Sequence, residues 1–217
     1  GVTTADLGGA HVTELAGGIL PGGSGEIPLL DLQAGPANAK AVARAIRTSG
    51  VCSAHDLSEG GLLVAAAEMG FAGRLGIELD LSAVPGDSAH PMVTAFAETP
   101  SRYLLEVAPE HMDAVVAALG DAPHAVVGRV HEDGVLRVPA LGMEESLDAL
   151  RQRWLAPLSW AHECAFCSGV PSISGPGQTL APSGRRQVVI IKFAQPQLDP
   201  ASKSRLPSRI RSEKAQP

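Results

Sequence analysis

Aromatic side chains are scarce in this 217-residue chain: Phe, Trp and Tyr make up 3% of it, against 45% apolar residues in all. A core built from such a sequence must be filled by Ala, Val, Leu and Ile, small side chains that let backbone layers approach closely. Cysteine is scarcer still. Cys52, Cys164 and Cys167 form an odd set of three, which excludes a disulfide framework and favours a reducing compartment, so a cytoplasmic location is expected. Long apolar runs are missing too. Leu62 to Ala67 and Val188 to Ile191 fall far short of the roughly 20 residues that a membrane-spanning helix needs, so no membrane partner is expected. Nothing at the start reads as a signal peptide, and Gly1 is no initiator methionine, which raises the expectation of a processed or truncated piece of a longer protein.

Basic residues are lacking in one part only. Residues 1–158 hold nine Lys and Arg against twenty Asp and Glu, whereas 159–217 hold eight against three. The acidic part has no Lys and Arg cluster with which to grip nucleic-acid phosphates, which argues against nucleic acid as a partner. A small phosphorylated ligand stays compatible with it if backbone amides and a metal supply the positive field. Past Trp160 the composition turns to Ser, Gly, Pro and Gln, then to a basic, Pro-containing end. The expected organisation is a folded domain over 1–160 and a low-complexity, disordered basic tail over 161–217, with Val188 to Phe193 as its one possible strand.

Within the domain, apolar spacing predicts a helix over 38–48, a short buried strand over 51–54, and a helix running to Met69. Ile77 to Leu81 alternates apolar and acidic residues as a half-buried strand does, and Tyr103 to Val107 reads as another strand. Pro109 opens an amphipathic helix that Gly120 stops. His124 to Val130 and Val135 to Val138 read as strands joined by an Asp133-Gly134 hairpin turn, and Glu144 to Trp154 as a closing helix. Interleaved strands and helices with an antiparallel hairpin predict an α/β or α+β layer fold, a mixed β-sheet covered by helices.

The densest constellation is strand, then His55-Asp56-Leu57-Ser58-Glu59-Gly60-Gly61, then helix. Asp56 and Glu59 have capping-box spacing. Two adjacent glycines in a first helical turn cost about 1 kcal/mol each relative to Ala, so a close neighbour, ligand or backbone, should require the missing side chains. Helix-start amides with an adjacent carboxylate suit a phosphate and a bridging magnesium ion. The same residues equally suit a plain cap with tight helix–sheet packing. Glu98 and Arg102 fit an ion pair near a sheet end, or a guanidinium fork facing phosphate. Cys164-Ala165-Phe166-Cys167 with His162 lacks the second ligand pair of a structural zinc site and reads as incidental.

Ser53-Ala54-His55-Asp56-Leu57-Ser58-Glu59-Gly60-Gly61-Leu62, with Ala67-Glu68-Met69-Gly70-Phe71-Ala72-Gly73 and Gly76-Ile77-Glu78-Leu79-Asp80-Leu81, resembles the C-terminal lobe of the aminoimidazole ribonucleotide synthetase superfamily. Gly1 to His11, Glu98-Thr99-Pro100-Ser101-Arg102 and Leu155-Ala156-Pro157-Leu158-Ser159-Trp160 narrow the likeness to its phosphoribosylformylglycinamidine synthase family, over about residues 1–160. His55 before Asp56 and the closing Trp160 look like the second of that family's two N-lobe plus C-lobe units. The resemblance implies a share in the ATP-dependent amidation of formylglycinamide ribonucleotide, a carbon–nitrogen ligation in purine biosynthesis.

It also implies Asp56 as a magnesium ligand, with Ser58, Gly60, Gly61, Glu98 and Arg102 facing phosphate or substrate. Implied partners are the N-terminal lobes of the same enzyme, the glutaminase and small subunits of the synthase complex, and a phosphorylated ribonucleotide. ATP and Mg2+ are implied for the whole enzyme. The family's Gly-Gly-Asn-Val-Ser segment is lacking here, so the chain alone is expected to be inactive. Where the family's first unit has Glu-Ser-Gln, this chain has Glu98-Thr99-Pro100, and Thr and Pro cannot make the Gln amide's hydrogen bonds. A non-catalytic assembly lobe with a decayed site is the competing expectation. A lobe of the selenophosphate synthetase or thiamine-phosphate kinase type is disfavoured by the Glu98 to Arg102 and Trp160 segments.

Overall fold

The computed structural model of the chain describes residues 2–48, 50–86 and 90–157, and the backbone of 186–191. In chain order the helices are α1 (His11–Leu15), α2 (Ala34–Ile46), α3 (Gly61–Gly73), α4 (Pro91–Phe96), α5 (Met112–Leu119) and α6 (Leu147–Leu155). The strands are β1 (Val51–Asp56), β2 (Gly76–Leu79), β3 (Tyr103–Val107), β4 (His124–His131), β5 (Val135–Val138), β6 (Met143–Ser146) and β7 (Arg186–Ile191). They form one mixed sheet in the order β1-β3-β7-β4-β2-β5-β6, with β2 parallel to β5 and every other pair antiparallel. The expected α/β layer fold is the one observed.

Alternation along β3 divides the core in two. Leu104 points into a cluster with Leu62, Leu63 and Ala66 of α3, Ala95 of α4 and Leu147 of α6. Leu105 and Val107 point the other way, against Ala41, Val42 and Ala45 of α2 and Val115 and Leu119 of α5. Each sheet face thus has its own helical layer, and the near absence of aromatics is met by small aliphatics at close range. Gly70 shows the closeness: a Cβ there would stand 2.8 Å from a methyl of Leu147.

Several boundaries differ from the sequence expectation for local reasons. α2 starts at Ala34, because the Asp31 carboxylate accepts the Gln33 and Ala34 amides at 2.8 Å and Pro36 tolerates the first turn. No Asp56–Glu59 capping box forms: Asp56 is the last residue of β1, and α3 begins only at Gly61 with Gly60, at φ 75°, as its cap. β1 is an edge strand with alternating exposure, where a buried one was expected. β2 keeps the expected alternation, with Ile77 and Leu79 buried and Glu78 46% exposed, but it ends at Leu79 and runs between β4 and β5. That insertion also cancels the Asp133-Gly134 hairpin: Gly134 turns the chain at φ 67°, but β4 and β5 stand on either side of β2. The observed hairpin joins β5 to β6, and β6 takes the first residues of the expected closing helix, which Ser146 caps through the Ala149 amide. The possible strand at 188–193 is present as β7, while the Cys164–Cys167 pair lies outside the described residues.

Candidate functional site

β1 delivers Asp56 to the mouth of the domain. Tyr103 is its cross-strand partner, and its own side chain is 64% exposed. An open groove of about 380 Å³ runs beside it, lined by Val42, Ile46, Ala54, His55, Asp56 and Tyr103. The Ser58 hydroxyl donates to the Asp56 carboxylate, and this bond above all holds the carboxyl below its ordinary value of 3.8, with a smaller opposing effect from burial. Asp56 is therefore an exposed, firmly ionised carboxylate at neutral pH. It fits one ligand position of a magnesium ion that takes its remaining ligands from water and phosphate, as that ion usually does. Among the described residues no group of three metal-ligating side chains converges, so a magnesium site would have to be shared with another lobe or a ligand.

Gly60 and Gly61 both take left-handed conformations, at φ 75° and 64°. Their missing side chains are required from within. A Cβ on Gly61 would stand 2.5 Å from the Ala97 carbonyl oxygen, and one on Gly60 would strike Val64. The close neighbour inferred from the paired glycines is thus the protein itself, and Ser58, by contrast, is exposed.

Glu98 and Arg102 stand behind the loop. One oxygen of Glu98 accepts the Gly60 amide at 2.8 Å and the His11 amide at 3.1 Å, with His11 Nδ1 at 3.6 Å. Arg102 is 1% exposed. Its Nε donates to the Thr99 carbonyl at 3.0 Å, one terminal nitrogen to Thr3 Oγ1 at 3.0 Å, and the other to the Ala97 carbonyl. Burial pulls its pKa down to about 10, against the raising effect of Glu98, so it stays charged at neutral pH. The structure therefore turns this guanidinium inward, onto the N-terminal segment and the loop after α4. The Arg102 carbonyl in turn accepts the Leu57 amide at 3.0 Å. Asn38 of α2 donates to the Ser101 carbonyl at 2.8 Å and steadies that residue at φ 63°.

Asp56, Ser58, Gly60 and Gly61 are thus brought together at the mouth, with Glu98 meeting them from inside and Arg102 one layer deeper. Further contacts went unforeseen in the sequence. His55 Nε2 lies 3.0 Å from Glu68 of α3, and the Ser53 hydroxyl donates to Glu106 at 2.7 Å. The second follows from strand register, which no single segment announces. Thr4 and Thr99 also meet, with their hydroxyl oxygens 3.3 Å apart.

A mixed sheet between two helical layers, with a strand-end carboxylate beside a glycine-opened helix, defines a class: the C-terminal lobe type shared by aminoimidazole ribonucleotide synthetase-like proteins. The family described as "AIR synthase related protein, C-terminal domain" matches residues 5–140, and the chain belongs to it. Among its relatives, phosphoribosylformylglycinamidine synthase subunit PurL of Corynebacterium ammoniagenes is 32% identical over 160 residues, 73% of this chain and 20% of the relative. The structure of T. maritima PurL complexed with FGAR superposes with a TM-score of 0.52 at 25% identity, covering 60% of this chain and 23% of that one. T. maritima PurL complexed with ATP shares the fold, with a TM-score of 0.52 at 21% identity over 68% of this chain and 24% of that one. The chain spans about a fifth of the length of the curated relatives it matches.

Proposed function

We propose that this chain is the C-terminal lobe of the second unit of a phosphoribosylformylglycinamidine synthase, an ATP-dependent carbon–nitrogen ligase of the cytoplasm. In that role it closes, with an N-terminal lobe of the same enzyme, over a phosphorylated ligand. The observation that carries the proposal is the exposed, ionised Asp56 beside the Ser58 hydroxyl and the glycine-opened start of α3. PurL relatives aligned along most of the chain supply the family context.

In the reaction proposed for the whole enzyme, ATP phosphorylates the amide oxygen of formylglycinamide ribonucleotide, and ammonia from a glutaminase partner displaces the phosphate to leave the amidine. Magnesium, when bound, offsets phosphate charge. Asp56 would hold it from this side, and Ser58 would orient the phosphoryl oxygens, the Leu57, Gly60 and Gly61 amides being already bonded within the chain. Glu98 and Arg102 serve by positioning: they fix the Gly60 and Leu57 amides and so the course of the loop. The chain alone supplies one carboxylate and part of a cradle, so no turnover is expected from it.

A second reading, an assembly lobe whose ancestral site has decayed, is favoured by one specific feature: the Gly60 and His11 amides are already taken by the Glu98 carboxylate. NMR titration of the chain with Mg2+, ATP and the ribonucleotide separates the two. The binding reading expects Mg2+-dependent shifts at Asp56, Ser58 and Gly61 that Asp56→Asn removes. A silent loop at millimolar ligand would leave the assembly reading.

A further inference from the structure

α3 carries a single charged side chain. Its 13 residues, Gly61–Gly73, are apolar or glycine except for Glu68. Nothing within the helix accounts for a carboxylate at that place. Glu68 stands beyond the first and last turns, where the helix dipole acts on charge, and the residues three and four positions away, Val64, Ala65, Phe71 and Ala72, offer it no ion pair. Its side chain is only 31% exposed, and covering a carboxylate is unfavourable unless it gains a partner. The partner comes from the sheet: Nε2 of the half-buried His55, on β1, lies 3.0 Å from a Glu68 oxygen. A carboxylate only accepts, so Nε2–H donates to it.

The other end of the ring meets Asp56. His55 Nδ1 lies 2.5 Å from the Asp56 carbonyl oxygen and 3.7 Å from its Oδ1, while the Ser58 hydroxyl donates to Oδ2. Asp56 is the last residue of β1, and β1 is an edge strand with β3 on one side only. Strand ends of that kind open easily unless something outside the ladder holds them. Here Glu68 holds the ring at one nitrogen and the ring abuts Asp56 at the other, so a core helix is tied to an exposed carboxylate through one imidazole.

We propose that Glu68 is a positioning residue for Asp56: by accepting from His55 it fixes the end of β1, and with it the direction of the Asp56 carboxylate. One consequence rests on the reading of Asp56 as a cation ligand, namely that the fixed carboxylate binds Mg2+ more tightly than a loose one. Carboxylates that ligate metals are themselves held by outer hydrogen-bonding partners, and losing such a partner weakens metal binding by about 10- to 100-fold.

The test uses the full chain and two substitutions at one position. Glu68→Leu matches the apolar helix but takes the acceptor from His55 Nε2, whereas Glu68→Gln keeps an oxygen there. Three-bond NMR couplings across the Asp56 Cα–Cβ bond read the carboxylate's direction with no metal present. One rotamer should dominate in the unmodified chain and in Glu68→Gln, and in Glu68→Leu the couplings should move toward the rotamer average while the urea midpoint stays close to that of the unmodified chain. Unchanged couplings in Glu68→Leu, or a Glu68→Gln variant as loose as Glu68→Leu, overturn the proposal. His55→Ala leaves α3 intact and guards against a Glu68→Leu chain that does not fold: it should loosen Asp56 by itself, and adding Glu68→Leu to it should change nothing more. An Asp56 still fixed in His55→Ala, or a further change in the double variant, overturns the link through the ring. Mg2+ titration of the Asp56 and Ser58 amides reads the consequence, with an affinity about 10-fold weaker expected in Glu68→Leu. Equal affinity in the two chains counts against the proposal. A loop silent to Mg2+ in the unmodified chain would instead sink the cation reading of Asp56, and the couplings would still decide whether Glu68 positions it.

Discussion

The loop from Asp56 to Gly61 has two sides, and they differ in almost every physical respect. The outer side is wet: Asp56, Ser58 and Glu59 are exposed, and the Asp56 carboxylate meets only its near neighbours, the Ser58 hydroxyl and His55 Nδ1 at 3.7 Å, among the described residues. The inner side is largely covered and bonded within the chain, with Arg102 buried among three acceptors, Glu98 binding two amides at 18% exposure, and the glycines seated against Ala97 and Val64. The difference teaches where folding ends and ligand chemistry begins. A residue whose hydrogen bonds are used up inside can only position, whereas one that keeps them toward solvent can bind.

If that division holds, changes on the inner side should cost stability and changes on the outer side should not. Arg102→Leu is the largest expected effect. It leaves the Thr99 and Ala97 carbonyls and the Thr3 hydroxyl without their donor and should destabilise the chain by about 3–5 kcal/mol, measured by urea denaturation. A loss below about 1 kcal/mol would mean the brace is dispensable.

Gly61→Ala comes next. It combines a left-handed backbone, which costs an L-residue roughly 1–2 kcal/mol, with a Cβ 2.5 Å from a carbonyl oxygen, so about 3 kcal/mol is expected. Gly134 is a built-in control, because its φ of 67° is nearly the same but nothing lies within 4 Å of the added carbon. Gly134→Ala should cost only the backbone share, about 1 kcal/mol, and equal losses at the two sites would refute the packing account of Gly61.

Glu98→Gln is expected to be milder. The amide oxygen still accepts from Gly60 and His11, so what is lost is the charge assistance, about 1 kcal/mol, together with faster exchange of those two amides. Unaltered exchange at His11 would show that Glu98 does not tie the N-terminal segment to the loop.

The sequence displayed the outer side and concealed the inner one, for a physical reason. Asp56, Ser58 and the glycine pair are neighbours along the chain, so spacing alone puts them together, and apolar periodicity similarly reveals α2, α3 and α5. Arg102 meets Thr3 across 99 positions and Glu98 meets His11 across 87, distances that only the finished sheet closes. The same limit explains the misjudged hairpin. Asp133-Gly134 does turn the chain, but whether two strands meet across a turn depends on what inserts between them, and β2 does. The capping box failed on one local point: α3 starts only at Gly61, behind Gly60 at φ 75°, so Asp56 at the end of β1 lies too far back along the chain to be its N-cap.

Asp56→Asn should have the smallest effect on stability. The residue is exposed, and surface substitutions of this kind stay within about 0.5 kcal/mol. Its pH signature has a definite sign. The folded carboxyl sits below 3.8, so its contribution is fully present above that value and fades only as the pH falls through the lower folded value. Asp31, Asp80 and Asp133 are also held below 3.8, with hydrogen bonds among the lowering causes, so the share of stability that these four carboxylates carry should fade only as the pH falls below about 4. Asp56→Asn should remove a minor part of that acid limb while abolishing any Mg2+ response of the loop. A variant that keeps the Mg2+ response would place the cation elsewhere, and one that unfolds would move Asp56 from the outer side of the loop to the inner.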